Sequence, residues 1–255
     1  MFLKVIGLIT VRVSSSRLPF KCFMNINGIS VLEHVLIRCL IGGIEPIICT
    51  SRNPKDKKII NFAKKNRIKF FAGPEKNKIL RWLKCCEKFK IKAFHTIDAD
   101  DPFFDWDRVK KSFNVLINSR NDIILPSKIS RKGAASEGYS ININCLKKIF
   151  LDNPDYKKEK FDTEIIEPFL GKKILKSELK GSKYEINNCR LTLDYIEDLK
   201  LLNKVAKNCG NFNHRKNINL YLKKHKKLLK INIKKNLDWK KKQNKFTSGF
   251  KIYEK

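Results

Sequence analysis

Three groups of residues have types and spacings that can do chemistry. The first is Arg12, Ser14, Ser15, Ser16, Arg17 and Lys21, stiffened by Pro19 and preceded by Thr10. Small hydroxyl residues and backbone N–H groups can point at phosphate oxygens while fixed cations neutralise them. The second is Asp98-Ala99-Asp100-Asp101. Carboxylates gathered in this way can hold Mg²⁺, a hard cation that prefers oxygen and shares its coordination with substrate phosphates. The third is Asp194, within Arg190-Leu-Thr-Leu-Asp194-Tyr-Ile-Glu197-Asp198. Each has a plainer reading. The first group reads equally as a solvated basic turn. Asp101, before Pro102, reads as a helix N-cap. Asp194 reads as a cap with Glu197 closing a capping box. A metal role is preferred for Asp194, because Mg²⁺ held between phosphates commonly takes one or two protein carboxylates.

The elements that must position these groups follow from apolar periodicity. Phe2 to Thr10 is an apolar run rich in β-branched residues, a buried strand that ends in the first group. In an open α/β sheet, ligands bind at the carboxyl ends of the strands. Ser30 caps a helix to about Ile41, stopped by Gly42-Gly43. Pro46–Ser51 is a strand, and Asn53-Pro54 opens a helix. Ile68–Phe71 is a strand, Lys78–Phe89 a helix, and Ala93–Ile97 a strand running into the acidic group. Trp106–Ile117 is a helix, with Asp105 just before it, and Asp122–Leu125 a strand. This alternation predicts a mainly parallel sheet covered on both faces.

The second half is less regular. Ser127–Ser136 reads as a basic loop, Glu137–Ile143 as a strand and Asn144–Phe150 as a short helix. Phe161–Leu170 reads as helical, Lys172–Leu179 and Cys189–Leu193 as strands, and Tyr195–Lys207 as a helix. Ile218–Leu229 is amphipathic, and a Lys-rich, loosely ordered end follows. His34 reads as a surface or interface residue, His95 as core, and Trp82, Trp106 and Trp239 as packing. No linker separates two halves. The expectation is one domain over residues 1–210 and a basic extension over 211–255.

Hydrophobic residues make up 42% of the 255, including 17 Phe, enough for a sizeable core. No apolar run is long enough to span a bilayer, and no secretory signal is evident. The eight cysteines are scattered without a CxxC pair and read as reduced core residues of a cytoplasmic protein, with no zinc site. The net charge of +31 suggests nucleic acid. Most of the excess is Lys spread along the chain, however. The last 45 residues hold 15 basic against 2 acidic, which is +13 of the +31. No RNP motif or helix-turn-helix accompanies the charge, so nucleic acid is an unlikely partner. A basic surface also suits a nucleoside triphosphate or a sugar acid.

Taken in order, the motifs resemble a known family. Arg12-Val-Ser-Ser-Ser16-Arg17-Leu18-Pro19-Phe20-Lys21 resembles the R-x-x-S-x-R-L-P-x-K signature of cytidylyltransferases that activate acidic sugars, the CMP-Kdo and CMP-acylneuraminate synthetases. The nearest resemblance is to the spore-coat polysaccharide SpsF-like branch. Asn27-Gly-Ile-Ser-Val-Leu-Glu-His34, Thr50-Ser-Arg-Asn53-Pro54-Lys-Asp56, Asp100-Asp101-Pro102-Phe103-Phe104-Asp105, Arg190–Asp198 and His225-Lys-Lys-Leu-Leu-Lys-Ile-Asn232 are similar to that branch's motifs in colinear order.

The resemblance implies a nucleotidyltransferase-type α/β fold (Rossmann-like, GT-A-like), a three-layer sandwich with a mainly parallel mixed sheet. It implies CTP bound over Thr10, Arg12, Ser14, Ser15, Arg17, Lys21 and Asp100, with Arg12, Lys21 and Asp100 catalytic. It implies Mg²⁺ on Asp100 and Asp194, Lys132 and Glu137 toward the sugar, a homodimer, and a role in surface polysaccharide biosynthesis. The sugar hydroxyl would attack the α-phosphate and pyrophosphate would leave. Thr10, Ser14, Phe20, Ala135 and Ile196 depart from the family's Gln, Gly, Gly, Asp and Pro. Three other readings stand beside this one: a GT-A-type glycosyltransferase using a nucleotide-sugar through Asp98-x-Asp100, a nucleic-acid-binding protein, and a family member that binds nucleotide without turnover.

Overall fold

An apolar run forms strand β1 (Val5–Thr10) because both of its faces find cover. The structure is a computed structural model and describes residues 4–15, 17–131 and 137–239. A small antiparallel hairpin, β2 (Asn25–Ile26) and β3 (Ile29–Ser30), leads into α1 (Val31–Ile41). There follow β4 (Ile44–Ser51), α2 (Lys57–Lys65), β5 (Phe70–Gly73), α3 (Lys78–Phe89), β6 (Ala93–Asp98), α4 (Trp106–Ile117) and β7 (Ile123–Leu125). The second half supplies a single turn, α5 (Lys128–Arg131), then β8 (Ser140–Asn142), α6 (Ile143–Asp152), β9 (Lys176–Glu178), α7 (Ile196–Cys209) and α8 (Arg215–Lys224).

Seven strands form one mixed sheet in the order β5-β4-β1-β6-β8-β7-β9. β5, β4, β1 and β6 run parallel, β8 pairs antiparallel with both β6 and β7, and β9 is parallel to β7. Helices α1, α2 and α4 cover one face through Leu32, Val35, Ile59, Val109 and Phe113. Helices α3 and α6 cover the other through Ile79, Trp82, Leu146 and Ile149. This is the three-layer α/β arrangement the sequence predicts. A third core joins α7, α8 and the β2–β3 hairpin beside the sheet, around Ile26, Phe103, Leu201, Leu202, Ile218 and Leu222. No helix among the described residues is long and apolar enough to cross a membrane.

Local chemistry sets the boundaries. Ser30 caps α1 in a full capping box: its hydroxyl accepts from the Glu33 N–H at 3.3 Å, and Glu33 accepts from the Ser30 N–H at 2.9 Å. Asp105, not Asp101, caps α4, accepting from the Asp107 and Arg108 N–H groups. Asp198, not Glu197, returns a bond to the Tyr195 N–H at the start of α7. Gly138 has φ +65°, and a Cβ there would lie 2.0 Å from the Thr96 carbonyl oxygen, so no other residue fits.

Several sequence expectations need correction. Phe161–Leu170 is not a helix; only Glu167–Phe169 forms a 3-10 turn. Its apolar spacing is satisfied another way, by an aromatic cluster of Tyr156, Phe161 and Phe169 with centroids 5.0 to 6.0 Å apart. Cys189–Leu193 alternates as a strand should, with Cys189, Leu191 and Leu193 buried, but pairs with no strand. Its Leu193 N–H instead donates to the Asp100 carbonyl at 2.7 Å. His34 is fully buried on α1, its Nε2 3.1 Å from the Ile26 carbonyl, and is not a surface residue. Ser16, Lys132, Ala135 and the segment 240–255 lie outside the described residues.

Candidate nucleotide site at the carboxyl edge of the sheet

The turn that follows β1 is built from its own residues and one distant carboxylate. The Phe20 and Ser15 N–H groups both donate to the Val13 carbonyl, at 3.1 and 3.0 Å. Asp56, fully buried before α2, accepts from the Val13 N–H at 2.8 Å and from the Ser51 hydroxyl. Thr10 at the strand end accepts from Trp82 Nε1 at 3.0 Å. The backbone of the turn is thereby fixed while Arg12, Arg17 and Lys21 project from it.

These side chains line a cavity of about 330 Å³ at the carboxyl ends of β1 and β6, together with Thr10, Ser14, Ser15, Asp98, Asp100 and Glu164. This is the crevice position at which α/β sheets bind ligands. Lys21 Nζ is the central group. It bonds Asp100 Oδ2 and, at 2.8 Å, Asp194 Oδ1. Arg17 Nη2 reaches the same Asp194 oxygen at 2.7 Å. Burial opposes the Lys21 charge, but Asp100 and Asp194 outweigh it and raise its pKa. Burial likewise opposes ionisation of Asp194, yet Lys21, Arg190 and Arg17 hold its carboxyl far below the usual carboxylate range. Asp98 is different: burial pushes its carboxyl up to about 6 against the pull of Lys78.

The arrangement fits a divalent metal. One ammonium already bridges Asp100 and Asp194, so the two carboxylates stand close enough for one hard cation to engage both. Among the described residues, no three His, Cys, Asp or Glu side chains form a closed metal nest. The carboxylates would supply part of a coordination shell and leave the rest to phosphate oxygens and water, the usual habit of Mg²⁺.

Arg12 is held from elsewhere. Its guanidinium donates to the Glu75 carbonyl at 3.1 Å and to Glu164 at 2.9 Å. Glu164 sits on a strap, residues 153–171, laid over the first turn of α3. Thr163, 1% exposed, accepts from the Ile79 N–H at 2.9 Å and donates to Asn77 Oδ1 at 3.1 Å. Asn77 donates to the Tyr156 and Lys158 carbonyls. The Glu164 carboxylate is about half exposed, so its pair with Arg12 is weak and open to exchange for phosphate.

The structure thus brings together Thr10, Arg12, Ser14, Ser15, Arg17, Lys21, Asp100 and Asp194. Glu137 stands apart from the cavity. It is buried, bonded to Arg108 Nε at 2.5 Å and to the Ser127 N–H at 2.7 Å. Asp56 and Glu164 were missed as contributors. The sequence signal for Asp56 was its place at the end of Thr50–Asp56. Glu164 carried none, since the helix expected there concealed a strap.

No protein-family model matches the chain. An uncharacterised protein of Methanocaldococcus jannaschii is 24% identical over 243 residues, covering 93% of this chain and 90% of that one. A cytidylyltransferase from Leptospira borgpetersenii superposes with a TM-score of 0.76 at 19% identity, covering 89% of this chain and 97% of the other. A CMP:2-keto-3-deoxy-manno-octonic acid synthetase, solved with CTP, superposes with a TM-score of 0.57 at 12% identity, covering 81% and 99%. The fold is therefore the α/β fold shared by nucleotidyltransferases.

Proposed function

We propose that the protein is a Mg²⁺-dependent cytidylyltransferase that transfers CMP from CTP to an acidic sugar and releases pyrophosphate, in surface polysaccharide biosynthesis. The observation that carries this reading is the Lys21 ammonium bridging Asp100 and Asp194 on the floor of a cavity rimmed by Arg12 and Arg17. Three cations from one rigid turn suit a triphosphate, and two carboxylates opposite them suit its metal. The fold shared with the Leptospira enzyme and with a synthetase solved with CTP supports the choice of nucleotide.

The chain's own residues then act as follows. Arg12 exchanges Glu164 for phosphate oxygens, while Arg17 and Lys21 neutralise charge on the leaving pyrophosphate. Asp100 and Asp194 would hold Mg²⁺, which when bound supplies charge neutralisation at the transferring phosphate. The sugar hydroxyl oxygen bonds to the α-phosphorus, the bond to the β-phosphate oxygen breaks, and the hydroxyl proton passes to solvent or base. Alignment and charge neutralisation are the main contributions a protein makes to such a transfer. On the sugar side, Lys132 is the proposed contact. Glu137 itself is held by Arg108 and the Ser127 N–H. A homodimer, as in the resembling family, is part of the same reading.

The test is pyrophosphate release with Mg²⁺, four nucleoside triphosphates and a panel of sugar acids. Release is expected with CTP and one sugar, and should fall roughly 100-fold or more in Asp100→Ala and Lys21→Ala, the loss typical of removing one charge-stabilising group. Affinity for a nucleotide-sugar without pyrophosphate release would point instead to glycosyl transfer.

A further inference from the structure

The two oxygens of Asp194 do different work. Oδ1 meets Lys21 and Arg17, two residues that line the cavity. Oδ2 faces the interior and bonds Arg190 Nη2. Arg190 is 2% exposed and also meets Asp198 through its Nε at 3.3 Å. The same Asp198 oxygen accepts the Asp194 and Tyr195 N–H groups, each at 2.9 Å. One side chain completes this frame. Asn232, 2% exposed, donates from its amide to Asp198 Oδ1 at 2.8 Å and to the Arg190 carbonyl at 3.0 Å. The Trp239 ring covers the Arg190 guanidinium at 5.2 Å. Buried Asn236 donates to the Asn188 carbonyl at 3.5 Å.

Both residues that fix Asp194 are therefore fixed in turn by a segment far along the chain. We infer that Asn232 is a positioning residue for Asp194, and that Asn232 and Trp239 support the working site although neither lines the cavity. The role given to Asp194 rests on the nucleotidyl-transfer reading; the frame around it does not. Partners of metal-binding carboxylates orient them, and their loss usually weakens metal affinity 10- to 100-fold. With Asp198 Oδ1 left buried and unpartnered, Arg190, already bonded to the other oxygen of that carboxylate, can turn to it. Such a swing would withdraw Arg190 from Asp194 Oδ2 and free the carboxylate to rotate away from the cavity.

The test uses the full chain with Asn232→Leu, which keeps the branching of the side chain and removes both bonds. Lys227→Ala, exposed in the same segment, is the control. Amide hydrogen exchange at Asp194 and Tyr195 should quicken about 10-fold or more, beyond any change in global stability. Manganese, read by its electron spin resonance in the presence of CTP, should bind about 10-fold more weakly. In turnover, kcat should fall while KM for the sugar holds. The Lys227→Ala protein should match wild type throughout. If Asn232→Leu does not fold, Asn232→Gln is read by the same measurements, since it keeps the amide but displaces it. Exchange at Asp194 and Tyr195 that matches wild type would overturn the frame. Quickened exchange with unchanged manganese affinity would overturn the positioning role. Wild-type protein that binds no manganese with CTP would sink the nucleotidyl-transfer reading alone, leaving the exchange result to decide the frame.

Discussion

Phe20 occupies left-handed backbone, φ 57°, immediately before Lys21, at a position where the resembling family has Gly. A bulky residue pays roughly 1–2 kcal/mol for that conformation. Its ring is 43% exposed and lies 4.9 Å from Lys58 Nζ, away from the cavity, so it offers little in return. Phe20→Gly should leave the unfolding free energy within about 1 kcal/mol of wild type, because relieved strain offsets the added chain entropy. A urea titration reads this directly, and a loss above about 2 kcal/mol would show the ring to be structural. At this scale, the sequence disclosed residues whose charge and spacing are local: Arg12, Arg17, Lys21, and the acidic group around Asp100. It did not disclose that Asp101 is a buried carboxyl with no hydrogen-bond partner among the described residues, pushed up to about 8 by burial. Nor did it disclose the Arg12–Glu164 pair, whose members stand 152 positions apart.

At the level of elements, the turn after β1 depends on the start of α2. Asp56 takes the Val13 N–H and the Ser51 hydroxyl, tying the turn after β1 to the end of β4. Asp56→Ala would leave both donors buried and unpaired, a cost of roughly 1–3 kcal/mol. The expected outcome is a lower urea midpoint together with a raised KM for CTP. Unchanged nucleotide binding would show that the turn holds its shape alone. Elements with their own caps and periodicity were legible: α3 and α4 have the residue limits that apolar spacing predicts, and Ser30 caps α1. Elements whose order comes from distant partners were not. Phe161–Leu170, within the strap, shows helical spacing, yet Thr163 is drawn out of any helix by its bonds to the first turn of α3. Cys189–Leu193 has strand alternation, but the acidic turn after β6 supplies only one carbonyl for it to meet.

Across the whole molecule, most of the positive charge is Lys spread along the chain, while the interior holds a few titratable groups whose states are set by burial. His95 on β6 is the clearest. It is fully buried between Ser140 and the Glu137 carbonyl, and burial lowers its pKa from 6.5 to about 4. The unfolded chain binds that proton more readily, so His95 favours the folded state above pH 6.5, and this support is lost as pH falls toward 4. The full difference is worth roughly 3 kcal/mol. His95→Gln should remove this acid sensitivity, so its stability relative to wild type should improve steadily from pH 6.5 to 4. A parallel pair of stability curves would contradict it. The overall α/β order and the parallel half of the sheet were readable because each βα unit is local. The antiparallel insertion of β8 between β6 and β7 was not, because β8 reaches back to β6 across the intervening α4 and β7. The clamp on Asp194 has a consequence for the order in which the protein is made. A ribosome releases residues in sequence, and the early part of a chain tends to fold first. Arg12, Arg17, Lys21 and Asp100 can gather once β6 has emerged, but Asp194 and then Asn232 arrive much later. A nascent chain would therefore present a cationic cradle well before Asp194 is clamped, and on the proposed function nucleotide turnover would begin only when synthesis has passed residue 232.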